Sequence, residues 1–207
     1  MSGRYALALI HPTLFFLLVA SALGAEEPPA RADTPLSGPI KGAPIKRYGV
    51  VDHGMLSRSS RPTAAGYTWL RQEGVKSLVN FTDEDPGDTF FKELGFEGHL
   101  WLPIVDGKPP SDGQVEQFLG LVRDSQNWPV HMHCAEGESR AGLMAALVRY
   151  AIDGWPLEKA LEEAKLYRKG KSLRPRYVQW LTHWAESHPP GSYRPVGESN
   201  GRKHDAR

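Results

Sequence analysis

The residues best suited to chemistry lie together in one octapeptide, which reads His133-Cys134-Ala135-Glu136-Gly137-Glu138-Ser139-Arg140. The apolar run PVHMH predicts a buried strand up to this loop, and AGLMAALVRYA after it predicts a helix. A strand that passes into a helix through a tight loop directs backbone N–H groups and the positive end of the helix dipole at one point. The spacing therefore predicts an anion-binding loop.

Cys134 and Arg140 are the reactive candidates in this loop. A thiol at a helix N-terminus ionises readily and the thiolate is the reactive form, so we expect Cys134 to be a nucleophile. Arg140 can present a planar fork to two oxygens of a bound phosphate, and Gly137 allows the loop amides to converge. Cys134 is the only cysteine, which excludes an intramolecular disulfide and any multi-thiolate metal site.

The octapeptide resembles the signature H-C-x-x-G-x-x-R of the cysteine-dependent protein tyrosine and dual-specificity phosphatases. The resemblance implies a phosphocysteine intermediate on Cys134, with Arg140 holding the phosphate oxygens and with neither metal nor cofactor. It also implies that His133 orients the loop from the second shell of the site. The substrate would be bound by the loop positions Ala135, Glu136, Gly137, Glu138 and Ser139, together with Arg140.

The same family carries an Asp on a mobile loop before the signature, and Asp106 in LPIVDGKPP resembles it. That role implies a general acid for the leaving group and then a base for water. Asp-Gly is also ordinary turn chemistry, so a plain turn is the alternative. Asp83 and Asp112 are weaker candidates, because Asp112 follows Ser111 at a predicted helix start and has a capping explanation.

A second stretch, YGVVDHGMLSRSSRPTAAGYTWLRQEGVKSLVNF, is similar to the opening of the atypical dual-specificity phosphatases of plant, fungal and bacterial type. In these proteins a short strand ends in an R-S-x-x-P turn whose Arg supports the phosphate loop from beneath. The resemblance assigns that supporting role to Arg58. A surface salt bridge is the alternative interpretation of this residue.

Three loop positions depart from the family pattern. Glu136 and Glu138 place carboxylates where relatives carry small or basic residues, which argues against polyanionic ligands. The basic run KLYRKGKSLRPR could supply a positive wall, although a solvated helix end is the competing interpretation. Ala141 stands where many relatives have Ser or Thr, and its missing hydroxyl predicts slower hydrolysis of the phosphoenzyme.

The elements that must position these residues alternate along the chain. Branched apolar runs at 75–81, 96–104 and 129–133 predict strands, and helices are expected at 63–74, 89–94, 111–126, 140–153, 156–169 and 175–187. Val115, Phe118, Leu119 and Val122 predict one buried helix face. We therefore expect a single α/β domain with a mainly parallel central sheet flanked by helices, and the phosphate loop between a strand and a helix.

The ends of the chain differ from its middle. The apolar run TLFFLLVASAL predicts a signal peptide over 1–24, hence export to the periplasm or secretion without stable membrane insertion after cleavage. An uncleaved membrane anchor is the alternative interpretation of this run. A flexible Pro/Ala/Gly-rich lead-in over 25–46, a dual-specificity phosphatase-like domain over 47–188 and a disordered tail over 189–207 are expected to follow.

These features predict a monomeric phosphatase that hydrolyses phosphate monoesters, with phosphotyrosine or phosphoserine/threonine proteins or a small phosphomonoester as substrate. The formal charge of +1 argues against nucleic acid as a partner. Three alternatives remain open. They are an inositol phosphate phosphatase, a catalytically weak phosphate-binding module and a cysteine-persulfide sulfurtransferase.

Overall fold

The computed structural model describes residues 34–52 and 55–195, and within them a five-stranded sheet carries the fold. The strands lie in the order β1-β2-β5-β3-β4. Their bounds are β1 Gly49–Asp52, β2 Leu56–Ser60, β3 Ser77–Asn80, β4 Gly98–Trp101 and β5 Val130–Cys134. The helices are α1 Ala64–Gln72, α2 Asp88–Glu93, α3 Asp112–Arg123, α4 Arg140–Ala151, α5 Leu157–Leu166 and α6 Pro175–Ser187, with a short 3₁₀ turn at Ser125–Asn127.

Three of the four strand pairings are parallel, and only β1 pairs antiparallel, with β2. The central strand β5 is flanked on both sides, with Cys134 opposite Ser60 of β2 and His133 opposite Asn80 of β3. Parallel strands end at the same edge of a sheet, and ligands bind at that edge in α/β folds. The predicted mainly parallel α/β fold is confirmed, and the topology brings the loop after Cys134 to the middle of this edge.

The alternation of side chains along the strands divides the core into two clusters. Val79, Met132 and Cys134 face the larger cluster, which includes residues of α3, α4, α5 and α6. Leu78 faces the smaller cluster, which includes Tyr67 of α1 and Phe91 next to Phe96. Since successive strand residues point to opposite faces, the period of two puts the thiol on the α4 side of the sheet.

Local sequence signals explain the helix boundaries that lead to the site. The Thr63 side chain caps α1 by accepting from Gly66 N at 3.2 Å. Ser111 and Gln114 form a reciprocal capping box at the start of α3. The four residues predicted as the buried face of α3 are all at most 1% exposed.

In the part of the chain that the structure describes, no helix combines the length and apolar character needed to cross a membrane.

The packed region extends beyond the predicted 47–188. Residues 34–46 were expected to be flexible, yet Ile45 is buried, and Ser37 Oγ donates to the Val50 carbonyl at 2.6 Å. At the other end Tyr193 N donates to the Ala151 carbonyl at 2.8 Å, within the predicted tail. The predicted signal peptide, residues 25–33 of the lead-in and residues 196–207 of the tail lie outside the described residues.

A buried ion-pair network centred on Arg149 joins the segment before β1 to the helices. Its guanidinium contacts the carboxylates of Asp153 and Glu163 at 3.0 Å, and lies 4.1 Å from the Trp155 ring centroid. The Glu163 carboxylate also accepts from Ser37 N at 2.8 Å. Three charged groups that are each at most 3% exposed therefore connect α4, α5 and the chain before β1.

Replacing Arg149 with Met should lower the free energy of unfolding by about 3–5 kcal/mol, because two buried carboxylates lose their cation. Urea denaturation followed by circular dichroism measures this value. Lys165→Met is the matched control, since it removes a cation from an exposed pair with Glu162 and should change stability by less than about 1 kcal/mol. Equal losses in the two variants would contradict the assigned importance of the buried network.

Candidate active site

The loop between β5 and α4 folds back over the end of its own strand. Cys134 is 2% exposed, and its Sγ accepts a hydrogen bond from Gly137 N at 3.2 Å. A backbone N–H directed at sulfur stabilises the thiolate form of a cysteine. The loop that surrounds the thiol therefore also holds its orientation.

Gly137 is required at its position for two reasons. Its φ of +71° lies in the left-handed region, which side chains other than hydrogen disfavour. A Cβ there would also lie 2.5 Å from Ser60 N and 2.7 Å from the Ser59 carbonyl carbon. The loop backbone thus contacts the end of β2 directly, and only glycine permits this approach.

Arg58 lies on β2 beneath the loop and is fully buried. Its Nη2 donates to the Gly137 carbonyl at 2.8 Å, and its guanidinium carbon lies 3.8 Å from the Tyr167 ring centroid. Nε and Nη1 are buried without a hydrogen-bond partner. Burial lowers the pKa of Arg58, whereas the Tyr167 and Cys134 groups oppose that shift. The placement puts a cation below the loop, where its charge faces the thiol.

Arg140 begins α4 and lies with its side chain across the ends of β3 and β4. It is 8% exposed, and its Nη1 donates to the carbonyls of Phe81 at 3.0 Å and Ile104 at 3.2 Å. These two contacts fix one edge of the guanidinium against the backbone. A planar cation held in this way, six residues after the thiol, can bind two oxygens of an oxyanion.

Asp106 lies in the turn that follows Ile104, and it is half-exposed. Its Oδ2 accepts from Arg174 Nη2 at 2.8 Å, and the next residue, Gly107, donates its N–H to Tyr177 Oη at 3.0 Å. Burial raises the pKa of Tyr177, and both Asp106 and Arg140 contribute charges to that environment. Tyr177 therefore links the Asp106 turn to the region of Arg140. By contrast Asp83 is exposed, and Asp112 stands in the first turn of α3.

The two strand histidines face away from the thiol and toward α1. His131 lies between Ser57 Oγ at 2.9 Å and Ser59 Oγ at 2.8 Å, and burial lowers its pKa to about 3. His133 Nε2 lies 3.0 Å from Tyr67 Oη, and burial holds its pKa well below the ordinary value. Both imidazoles are neutral at physiological pH, and the His133 ring contacts Tyr67 of α1, so its predicted role of orienting the loop stays a prediction.

The side chains of Glu136 and Glu138 point to the outer rim of the loop. Glu136 pairs with Lys46 at 3.1 Å, and Glu138 pairs with Arg47 and with Arg168, the latter at 3.8 Å. The Lys46 hydrogen bond and charge lower the pKa of Glu136. Ala135 contributes its carbonyl as the acceptor for Arg61 N at 3.2 Å, and Ser139 Oγ accepts from Arg168 Nη1 at 2.6 Å.

Sequence reasoning missed four residues that the structure brings to this site, namely Lys46, Arg47, Tyr167 and Tyr177. Lys46 is the last residue of the predicted flexible lead-in and Arg47 the first of the predicted domain, and their partners are about 90 positions away. Arg168 and Tyr167 lie in the basic run, for which a solvated helix end was one interpretation. A useful signal was available there, since an Arg and a Tyr directly after an amphipathic helix can turn back onto a neighbouring loop.

Comparison with known proteins also indicates a phosphatase. A family model described as "DSP-PTPase phosphatase fused to NAD+ Kinase" matches residues 49–178. The chain is 33% identical over 113 residues to the dual specificity protein phosphatase TpbA of Pseudomonas aeruginosa, a match that covers 52% of this chain and 49% of TpbA. It is 28% identical over 133 residues to the probable chloroplastic NAD kinase 2 of Oryza sativa subsp. japonica, covering 61% of this chain and 14% of that protein. The chain thus spans about half or less of these curated relatives.

Solved structures share the fold. The catalytic core of the PP-IP phosphatase SIW14 from S. cerevisiae, in complex with citrate, superposes with a TM-score of 0.61 at 20% identity, over 70% of this chain and 88% of that one. P. aeruginosa TpbA in complex with pTyr superposes with a TM-score of 0.57 at 23% identity, over 75% of this chain and 99% of that one. At these identities the likeness concerns the fold.

Gly137→Ala should weaken the binding of tungstate, a phosphate-like oxyanion, at least about tenfold, because the added Cβ forces the loop away from β2. Isothermal titration measures the dissociation constant. Gly113→Ala is the matched control, since its Cβ would meet nothing within 4 Å on α3. Unchanged tungstate affinity in a folded Gly137→Ala variant would show that the loop tolerates the displacement.

Proposed function

The chain belongs to the DSP-PTPase phosphatase family, and we propose that it hydrolyses phosphate monoesters through a phosphocysteine intermediate. One observation carries the proposal. Cys134 Sγ accepts from the Gly137 N–H of a loop whose other end holds Arg140. A nucleophile, converging amides and a bidentate cation in one loop are what phosphoryl transfer requires.

The proposed reaction has two steps. In the first, the Cys134 thiolate attacks phosphorus, the ester P–O bond breaks, and Asp106 gives its proton to the departing oxygen. In the second, Asp106 accepts a proton from water, the oxygen of that water attacks phosphorus, and the S–P bond breaks to release phosphate and the thiolate. Arg140 and the loop amides hold the equatorial oxygens in both steps.

The surroundings of Asp106 support its assignment over Asp83 and Asp112. Its turn follows directly on Ile104, whose carbonyl accepts from Arg140, so the turn and the phosphate clamp share a contact. Gly107, with a φ of +81°, gives the turn a residue suited to a hinge. Asp106 exchanges its partner Arg174 for the leaving group when the turn closes on substrate.

Ala141 supports a slow second step. It is fully buried in the first turn of α4 and offers no hydroxyl to the sulfur. Ser139 does not replace it, because its Oγ is engaged with Arg168 on the outer side of the loop. We therefore expect the phosphoenzyme to accumulate.

The substrate class is inferred from a related structure and from the charged residues around the loop. TpbA has been solved with pTyr, and we propose a phosphoprotein or another small phosphomonoester as the substrate of this chain. One observation favours inositol phosphates as the second candidate, because Arg174 of the basic run reaches the Asp106 turn. Comparing hydrolysis of a phosphotyrosine peptide with that of phytate separates the two.

We also propose that the protein acts outside the cytoplasm. The support is the predicted signal peptide, whose apolar run of about a dozen residues follows Arg4 and ends in small residues. Fractionation of cells that express residues 1–207 should place the protein outside the cytoplasmic fraction, whereas a variant starting at Ala25 should stay in it. Equal distribution of the two would reject export.

In stopped-flow experiments with p-nitrophenyl phosphate, the chain from Ala25 should release a burst of nitrophenolate close to one equivalent, followed by slow turnover. Cys134→Ser should abolish both phases, because serine is not ionised in this loop. Asp106→Asn should lower the burst rate about 10²–10⁴-fold. A substrate with a more activated leaving group should recover part of this loss, because its leaving oxygen needs less help from an acid.

Asp112→Asn is the matched control for the acid and should stay within about twofold of the starting rate, since Asp112 lies in the first turn of α3. Linear turnover without a burst would remove the role given to Ala141. Binding of vanadate without nitrophenolate release would replace the enzyme with a phosphate-binding module.

A further inference from the structure

Three cations form a cluster on the outer rim of the phosphate loop, and we call them the rim cations. They are Lys46, Arg47 and Arg168, and they come from the turn before β1 and the turn after α5. Arg47 and Arg168 are only 14% and 15% exposed, so their charges are largely withdrawn from water. Cations that converge on one loop in this way form a site suited to binding an anion.

The backbone holds the first two of these cations in place. Arg47 has a φ of +56°, a left-handed conformation that is uncommon outside glycine. The Lys46 carbonyl accepts from Ser60 N at 2.9 Å, and Ser60 is the residue on which Gly137 packs. The basic turn and the phosphate loop are therefore attached to the same end of β2, and their relative position is fixed.

The loop supplies its own anions to this cluster. The side chains of Glu136 and Glu138, here called the loop carboxylates, make every ion pair that the rim cations have among the described residues. Arg47 also donates to the Glu136 carbonyl at 3.0 Å. A second phosphate group of a ligand bound in the loop would need to displace these carboxylates to reach the cations.

We propose that the rim cations are a second anion site, that the loop carboxylates fill it, and that this arrangement makes the enzyme discriminate against polyphosphorylated substrates. The proposal rests on the proposed function and names the substrate class of that same site. With the carboxylates present, the cluster carries three positive and two negative charges. A substrate with one phosphate uses only the loop amides and Arg140, so it is not affected by the occupied rim.

Neutralising the loop carboxylates tests this directly. In a Cys134→Ser background, which cannot form the phosphoenzyme, the double substitution Glu136→Gln/Glu138→Gln should tighten the binding of myo-inositol hexakisphosphate on the order of tenfold or more. Phenyl phosphate, with one phosphate group, should change much less. The measured quantity is the ratio of the two dissociation constants from isothermal titration at fixed ionic strength.

Two further variants identify the cations as the cause. Adding Lys46→Gln or Arg47→Gln to the double variant should remove most of the gain for the hexakisphosphate. Lys46 is the safer of the two for folding, because its side chain is 64% exposed. Glu162→Gln, which neutralises an exposed carboxylate paired with Lys165 on α5, is the matched control and should leave the ratio unchanged.

An unchanged ratio in the double variant would overturn the proposal, and so would equal tightening for both ligands, which would mean a general effect of charge on the loop. These results are distinct from failure of the proposed function. Absence of p-nitrophenyl phosphate turnover by the unsubstituted chain would reject the enzyme, whereas turnover combined with a fixed binding ratio would reject only the filled rim site.

Discussion

The contact between Gly137 and the end of β2 is the constraint on which the site depends. This contact allows the loop to turn back over β5, so that the Gly137 N–H faces Cys134 and the Gly137 carbonyl faces Arg58. A residue with a Cβ would collide with backbone atoms of Ser59 and Ser60, which cannot move without disturbing the sheet. The anion-binding geometry is thus a consequence of parallel pairing between β2 and β5, and not of the loop alone.

This arrangement requires a buried cation, and the fold compensates for it. Arg58 loses its hydration and leaves two nitrogens without hydrogen-bond partners, a desolvation that disfavours its charged form. The Tyr167 ring against its face, the Gly137 carbonyl and the nearby sulfur each favour the charged form. Because Arg58 contacts the loop and the Cys134 group favours its charged form, removing Arg58 should affect both the loop and the surroundings of the sulfur.

The sequence predicted the parts of the site that are local in the chain. The order strand, loop, helix and the six-residue spacing of Cys134 and Arg140 depend on short-range signals, as do the caps at Thr63 and Ser111. What it could not provide are pairings between distant segments. Glu163 has the spacing of a polar helix position but lies buried against Arg149, and the segment 34–46 is polar yet packs through contacts to residues more than 80 positions away. Composition describes such stretches as flexible, because the partner that orders them is not visible from the local pattern.

Arg140, the proposed phosphate-binding group, and Asp106, the proposed general acid, are also coupled through the fold. Arg140 Nη1 is held by the carbonyls of Phe81 and Ile104, and the Asp106 turn begins two residues after the second of these. An oxyanion bound by Arg140 would compete with the Ile104 carbonyl for the guanidinium, and we expect this competition to change the position of Asp106. The hydrogen bond from Gly107 N to Tyr177 Oη restrains the turn at the residue after Asp106. We therefore expect the turn to close on substrate without a separate lid, because the proposed phosphate-binding group contacts the backbone next to the proposed proton donor.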